Sequence, residues 1–203
     1  MMLDLFNVIF KKRDKYLNYN ELAIHQKEGI DFEIVAVEQP GAFAAILAPH
    51  AGGIETKTGT IAKAIAGNNH SLYCFEGRKS SGNRILHITS QHFDEPRCLR
   101  IIEKYQRVIT IHGCNERSEK IYIGGLDEEL IEILFSELSS VGIIPERSEK
   151  FSAKSPENIC NRGLTKRGVQ LELSLPFRKG SQVNLFINSL RSALYEIGLQ
   201  NNR

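Results

Sequence analysis

The chain has 203 residues, 41% hydrophobic and 25% charged, with a formal net charge of +2. That length suits one domain with a two- or three-layer core, and the composition argues against both a disordered and a membrane-embedded chain. A charge so close to zero gives no reason to expect a nucleic-acid partner, which needs a concentrated basic face.

Met1-Met2-Leu3-Asp4-Leu5-Phe6 carries an early acid and no basic leader, so no secretory signal is read and a cytoplasmic location is expected. Residues 1–30 read as a peripheral segment, with Tyr16, Tyr19, Leu22 and Ile24 on a helix packed at the domain edge. Phe32 to Val37 and Phe43 to Ala48 are β-rich runs around the turn Gln39-Pro40-Gly41, which predicts a hairpin or adjacent strands. The glycine-rich Pro49-His50-Ala51-Gly52-Gly53-Ile54-Glu55 follows and leads into a helix over Thr60 to Ala66 that stops at Gly67.

Ser71 to Glu76 and Arg84 to Ile88 read as two further strands, and Pro96 opens a helix running to about Tyr105. Arg107 to Ile111 is a buried strand ending at His112-Gly113, and Lys120 to Ile123 is another. Asp127 to Val141 forms an amphipathic helix with Leu130, Ile131, Leu134, Phe135 and Leu138 on one face. Gly168 to Leu175 alternates as a strand, and Val183 to Ile197 closes the chain as a helix presenting Leu185, Phe186, Leu190 and Leu194. Strands alternating with helices predict an α/β fold, a mixed central sheet with helices on both faces, in a single domain spanning 1–203. The cysteines Cys74, Cys98, Cys114 and Cys160 lack CxxC pairing and read as reduced thiols.

In open α/β sheets the ligand site lies beyond the carboxyl ends of the strands. His50 follows one apolar run, His112 another, and His92 with Asp94 a third, while Glu172 lies within Val169-Gln170-Leu171-Glu172-Leu173. A catalytic zinc takes three nitrogen or oxygen ligands and keeps one position for water, commonly with two histidines and a carboxylate. His50, Glu55 and His112 supply that set, and Gly52 and Gly53 let one loop fold the first two onto one ion. Blander readings stand beside this one. Glu172 could face outward on an exposed sheet, and His87, His92 and Asp94 could either orient the metal ligands or cap the helix at Pro96. We favour capping for Asp94, a ligand-orienting role for His92, and a buried thiol for Cys114.

Six segments occur in order: Pro49 to Glu55, His87-Ile88-Thr89-Ser90, His92-Phe93-Asp94-Glu95-Pro96, Ile111-His112-Gly113-Cys114, Asn161-Arg162-Gly163 and Gly168 to Ser174. Together they resemble the phage-type poly-γ-glutamate hydrolases. The resemblance runs from about Asp31 to the C-terminal helix, with Ala51 where the family loop usually has another glycine. It implies a zinc-carboxypeptidase-like fold, one Zn2+ per chain on His50, Glu55 and His112, and Glu172 as general base. It further implies that Asn161 and Arg162 hold a substrate carboxylate, with Arg97 and Arg84 as further cationic candidates and His92 near the substrate. The expected activity is hydrolysis of γ-glutamyl amides in an anionic polymer by a monomeric enzyme, free of membrane and nucleic acid. The alternatives are a phage or prophage replication accessory without catalysis and a zinc peptidase acting on α-linked chains.

Overall fold

The computed structural model describes residues 14–201. Its apolar, β-branched runs become six strands: β1 (Phe32–Val37), β2 (Ala44–Gly52), β3 (Ser71–Gly77), β4 (Arg107–Cys114), β5 (Ile121–Gly125) and β6 (Val169–Ser174). They form one mixed sheet in the order β1-β3-β2-β4-β6-β5. The inner pairs β3·β2, β2·β4 and β4·β6 are parallel, and the edge strands β1 and β5 are antiparallel to β3 and β6. Inner parallel strands are covered on both faces, which is why Ala44 to Ala51 is buried almost without interruption.

The helices are α1 (Tyr19–His25), α2 (Thr58–Ala66), α3 (Pro96–Ile102), α4 (Glu128–Ser140), α5 (Leu175–Lys179) and α6 (Val183–Asn201). On one face Ile46, Ile109 and Leu171 of the sheet pack against Ile61 and Ile65 of α2, Leu130 and Leu134 of α4, and Phe186 and Leu190 of α6. On the other face Leu47, Tyr73 and Val108 meet Leu22 of α1 and Cys98 and Ile101 of α3. The expected mixed sheet with helices on both faces is therefore what the chain builds.

Three local expectations change. β1 and β2 are not neighbours, because β3 lies between them and pairs with both. With both edges of β3 occupied there is no place for a strand over Arg84 to Ile88, and that stretch is instead a 3-10 turn at Asn83–Leu86 followed by extended chain. Ile24 and Leu185 face solvent rather than the core, whereas Leu22, Phe186, Leu190 and Leu194 are buried.

From β2 the chain crosses to β3 on one side, whereas β4 joins β2 on the other. The strand order reverses between β2 and β4, and the crevice at their carboxyl ends is where such sheets place a ligand. All four cysteines are free and buried. Among the described residues, no helix is long and apolar enough to cross a membrane.

Candidate metal centre

His50 and His112 stand on either side of that reversal, on β2 and β4. Both strands run past the point where the apolar runs stop, so the histidines are within strands rather than after them. The pairing of β2 with β3 slips in register between Ala48 and Ala51, and a bulge of this kind re-aims the side chain it carries. Here that side chain is His50. The chain then turns sharply at Gly52, whose φ is +64° and where a Cβ would come 2.5 Å from the carbonyl oxygen of Gly77. Only glycine satisfies both conditions. The turn closes with the Glu55 N–H donating to the His50 carbonyl at 2.9 Å, which brings Glu55 back over the imidazole.

The His50 Nε2 lies 2.7 Å from the carbonyl oxygen of Ile88. A carbonyl only accepts, so Nε2 carries the proton and Nδ1 presents a lone pair. That Nδ1 is 3.1 Å from Nδ1 of His112 and 3.5 Å from Oε1 of Glu55. His112 Nδ1 is 3.9 Å from Oε2 of Glu55, which also accepts the Gly113 N–H at 2.8 Å. Ligands about 2.0–2.1 Å from a tetrahedral zinc stand roughly 3.3–3.4 Å apart, so these spacings bracket what one such ion requires. Two neutral nitrogens and one carboxylate form the donor set of a catalytic zinc site with an open position. The residues present fit the group.

Electrostatics support the same assignment. Burial alone would raise the Glu55 carboxyl, but the His50 and His112 imidazoles and the Gly113 N–H hold it at about 2. Burial pushes the His112 imidazole down to about 3, leaving it neutral as a metal ligand must be. His87 lies flat against His50, with ring centroids 4.0 Å apart.

Glu172 of β6 is in register with His112. Glu172 is half-buried rather than on an exposed sheet face, and burial, reinforced by the charge of Glu55, lifts its carboxyl to about 8. Gln170 donates to its Oε1 at 3.1 Å. The cations that pull the Glu172 carboxyl back down are Lys150 and Arg178.

Arg178 was not foreseen. It is buried on the short helix α5, donates from Nε to the Leu173 carbonyl at 3.0 Å, and reaches the Thr56 carbonyl through Nη1. Its guanidinium lies against Gly113, where a Cβ would fall 2.6 Å from Nη2. Ser174, which accepts from the Phe177 N–H, and a proline in the first turn start this helix, a start signal present in the sequence.

Of the other expected residues, Arg97, Arg162 and Asn161 hold partners outside the His50–Glu55–His112 cluster. Arg97 is paired with Glu28 and with Glu95. Arg162 donates from Nη1 to the Phe93 carbonyl at 2.8 Å. The Asn161 amide is spent on the backbone, accepting from Leu126 and Gly168 and donating to Ala153 and Ser155. Arg84 and His92 are exposed. Asp94 accepts the Tyr19 N–H at 2.7 Å, and it is Glu95 that caps α3 by accepting from Cys98. The Cys114 thiol is buried and pushed up to about 12, which leaves it outside the ligand set.

Comparison with known proteins places this geometry in a family. The family described as poly-gamma-glutamate hydrolase matches residues 16–193. The UPF0714 protein YndL of Bacillus subtilis (strain 168) is 37% identical over 169 residues, covering 82% of this chain and 66% of YndL. The SPbeta prophage-derived UPF0714 protein YoqZ of the same strain is 33% identical, covering 82% of this chain and 61% of YoqZ. The chain thus spans about two thirds or less of the length of these two relatives. A bacteriophage poly-gamma-glutamate hydrolase structure superposes with a TM-score of 0.87 at 30% identity, covering 91% of this chain and 98% of that one. On the family match and this superposition together, the chain belongs to the poly-gamma-glutamate hydrolase family.

Proposed function

We propose that this protein is a zinc-dependent amidohydrolase that cleaves γ-glutamyl linkages of poly-γ-glutamate. The observation that carries the reading is the convergence of His50 Nδ1, His112 Nδ1 and a Glu55 carboxylate within 4.8 Å of one another, beside a carboxyl lifted to about 8. Family membership supplies the substrate class, and the zinc-free apo form of YndL supports the choice of metal, with a TM-score of 0.85 at 32% identity.

Zinc bound here would supply Lewis acidity, polarising the scissile carbonyl and acidifying a water molecule. The protein's own side chains do the rest. Glu172 takes the proton of the attacking water and returns it to the leaving amine, a role suited to a carboxyl whose proton affinity lies near neutrality. Arg178 already uses Nε and Nη1 on two backbone carbonyls, so Nη2 remains for an anionic group of the substrate. A guanidinium fixed in this way loses little freedom when it binds a carboxylate or a developing oxyanion. Each unit of poly-γ-glutamate offers a free α-carboxylate, and Arg178 takes over the role expected of Asn161 and Arg162.

The test is polymer chain length by gel filtration, before and after incubation with zinc-loaded protein. Shortening that stops on chelation and in Glu172→Gln supports the reading. Intact γ-linked polymer, or preference for α-linked polyglutamate, refutes it.

A further inference from the structure

Asp14, the first described residue, reaches the candidate metal centre. Asp14 lies two residues before the region matched by the family, yet both its oxygens are engaged beside the site. Oδ2 accepts from the Thr89 N–H at 2.6 Å and the Thr89 hydroxyl at 2.7 Å. Oδ1 lies 2.6 Å from Nδ1 of His87. An ionised carboxylate only accepts, so Nδ1 of His87 carries a proton, and in the neutral ring Nε2 then presents a lone pair. The ring is stacked on His50, and Nε2 is 4.0 Å from Glu55 Oε1. Two acceptors facing across that gap are reconciled by a donor between them or a cation. His87 is not part of the group of ligand atoms that lie within 4.8 Å of one another, which favours the donor.

We propose that Asp14 is a positioning residue of the active site, fixing His87 in the Nδ1–H tautomer with Nε2 held as an acceptor for the N–H of the substrate amide beside the metal ligands. The proton on Nδ1 follows from hydrogen-bond chemistry, whereas the role of Nε2 as an acceptor belongs to the neutral ring and rests on the amidohydrolase reading above. Asp14 works at one remove, as carboxylates behind metal-site histidines do. Truncation beyond Asp14 then removes an active-site support.

Long-range 1H–15N spectra of the imidazoles in parent, Asp14→Ala and Thr89→Val test this. The parent should show His87 as the Nδ1–H tautomer, and Asp14→Ala should lose that preference. Asp14→Ala should also lose about 10- to 100-fold in kcat on poly-γ-glutamate with KM and zinc content little changed, the scale of supporting contacts at metal sites. Thr89→Val removes the hydroxyl bond to Asp14 but keeps the backbone N–H bond and the His87 contact, so its tautomer and kcat should match the parent. An Nε2–H tautomer in the parent, or equal losses in both variants, overturns the proposal. An Nδ1–H tautomer in a parent that leaves the polymer intact refutes the proposed reaction and leaves the positioning of His87 standing.

Discussion

Gly113→Ala isolates the packing of Arg178, because Gly113 does not lie in the left-handed region and alanine can take its backbone conformation. The added methyl would meet the Arg178 guanidinium at 2.6 Å from Nη2, 2.7 Å from Cζ and 2.8 Å from Nη1. Ordinary carbon contacts begin at about 3.5 Å, so the guanidinium must retreat by roughly 0.8 Å. Its Nε bond to Leu173 is 3.0 Å long, and a retreat of that size stretches it beyond hydrogen-bond range. Losing a charge-assisted bond and straining a packed site costs about 2–4 kcal/mol, or roughly 4–16 °C in a chain of this size. Urea unfolding of metal-free protein measures the cost, and activity should fall as Arg178 leaves its place. In an Arg178→Ala background the same substitution should cost less than about 0.5 kcal/mol. An equal loss in both backgrounds would refute the stacking of Arg178 on Gly113.

Glu172→Gln should stabilise metal-free protein at neutral pH. The folded carboxyl titrates near 8 against an ordinary 4.5, so between those values the native state binds more protons than the unfolded one and stability falls as pH rises. The advantage of the variant should therefore grow from about pH 4.5 to pH 8, and urea midpoints across that range check it. Asn161→Ala should lower stability by about 2–4 kcal/mol, since its amide serves several buried backbone groups, while KM for the polymer measured on the folded fraction stays at the parental value. His112→Ala should lose stoichiometric zinc on dialysis, read by elemental analysis, because two remaining ligands do not make a site.

The inner strands were legible because parallel strands buried on both faces must be continuous apolar runs, as Ile46, Ile109 and Leu171 show. The His50–Glu55–His112 cluster was legible for a related reason: His50 and His112 interrupt such runs at the same end of the sheet. Pairing was not, since nothing local tells β1 that its partner is β3. Arg178 escaped because its placement depends on the empty space above Gly113, a contact across 65 residues of sequence that no periodicity encodes. Arg97 drew attention by residue type and Asn161 and Arg162 through the resemblance, yet Arg97 is paired with Glu28, Arg162 donates from Nη1 to the Phe93 carbonyl, and the Asn161 amide donates to the Ala153 and Ser155 backbone. Asp14 carried no signal at all until His87 was placed beside it.

Anomalous scattering at the zinc edge from crystals of the zinc-loaded protein tests the convergence of the three ligands most directly. One peak per chain, bonded to His50 Nδ1, His112 Nδ1 and the Glu55 carboxylate, is the predicted result. A peak bound by other side chains, or none at full zinc loading, would contradict it.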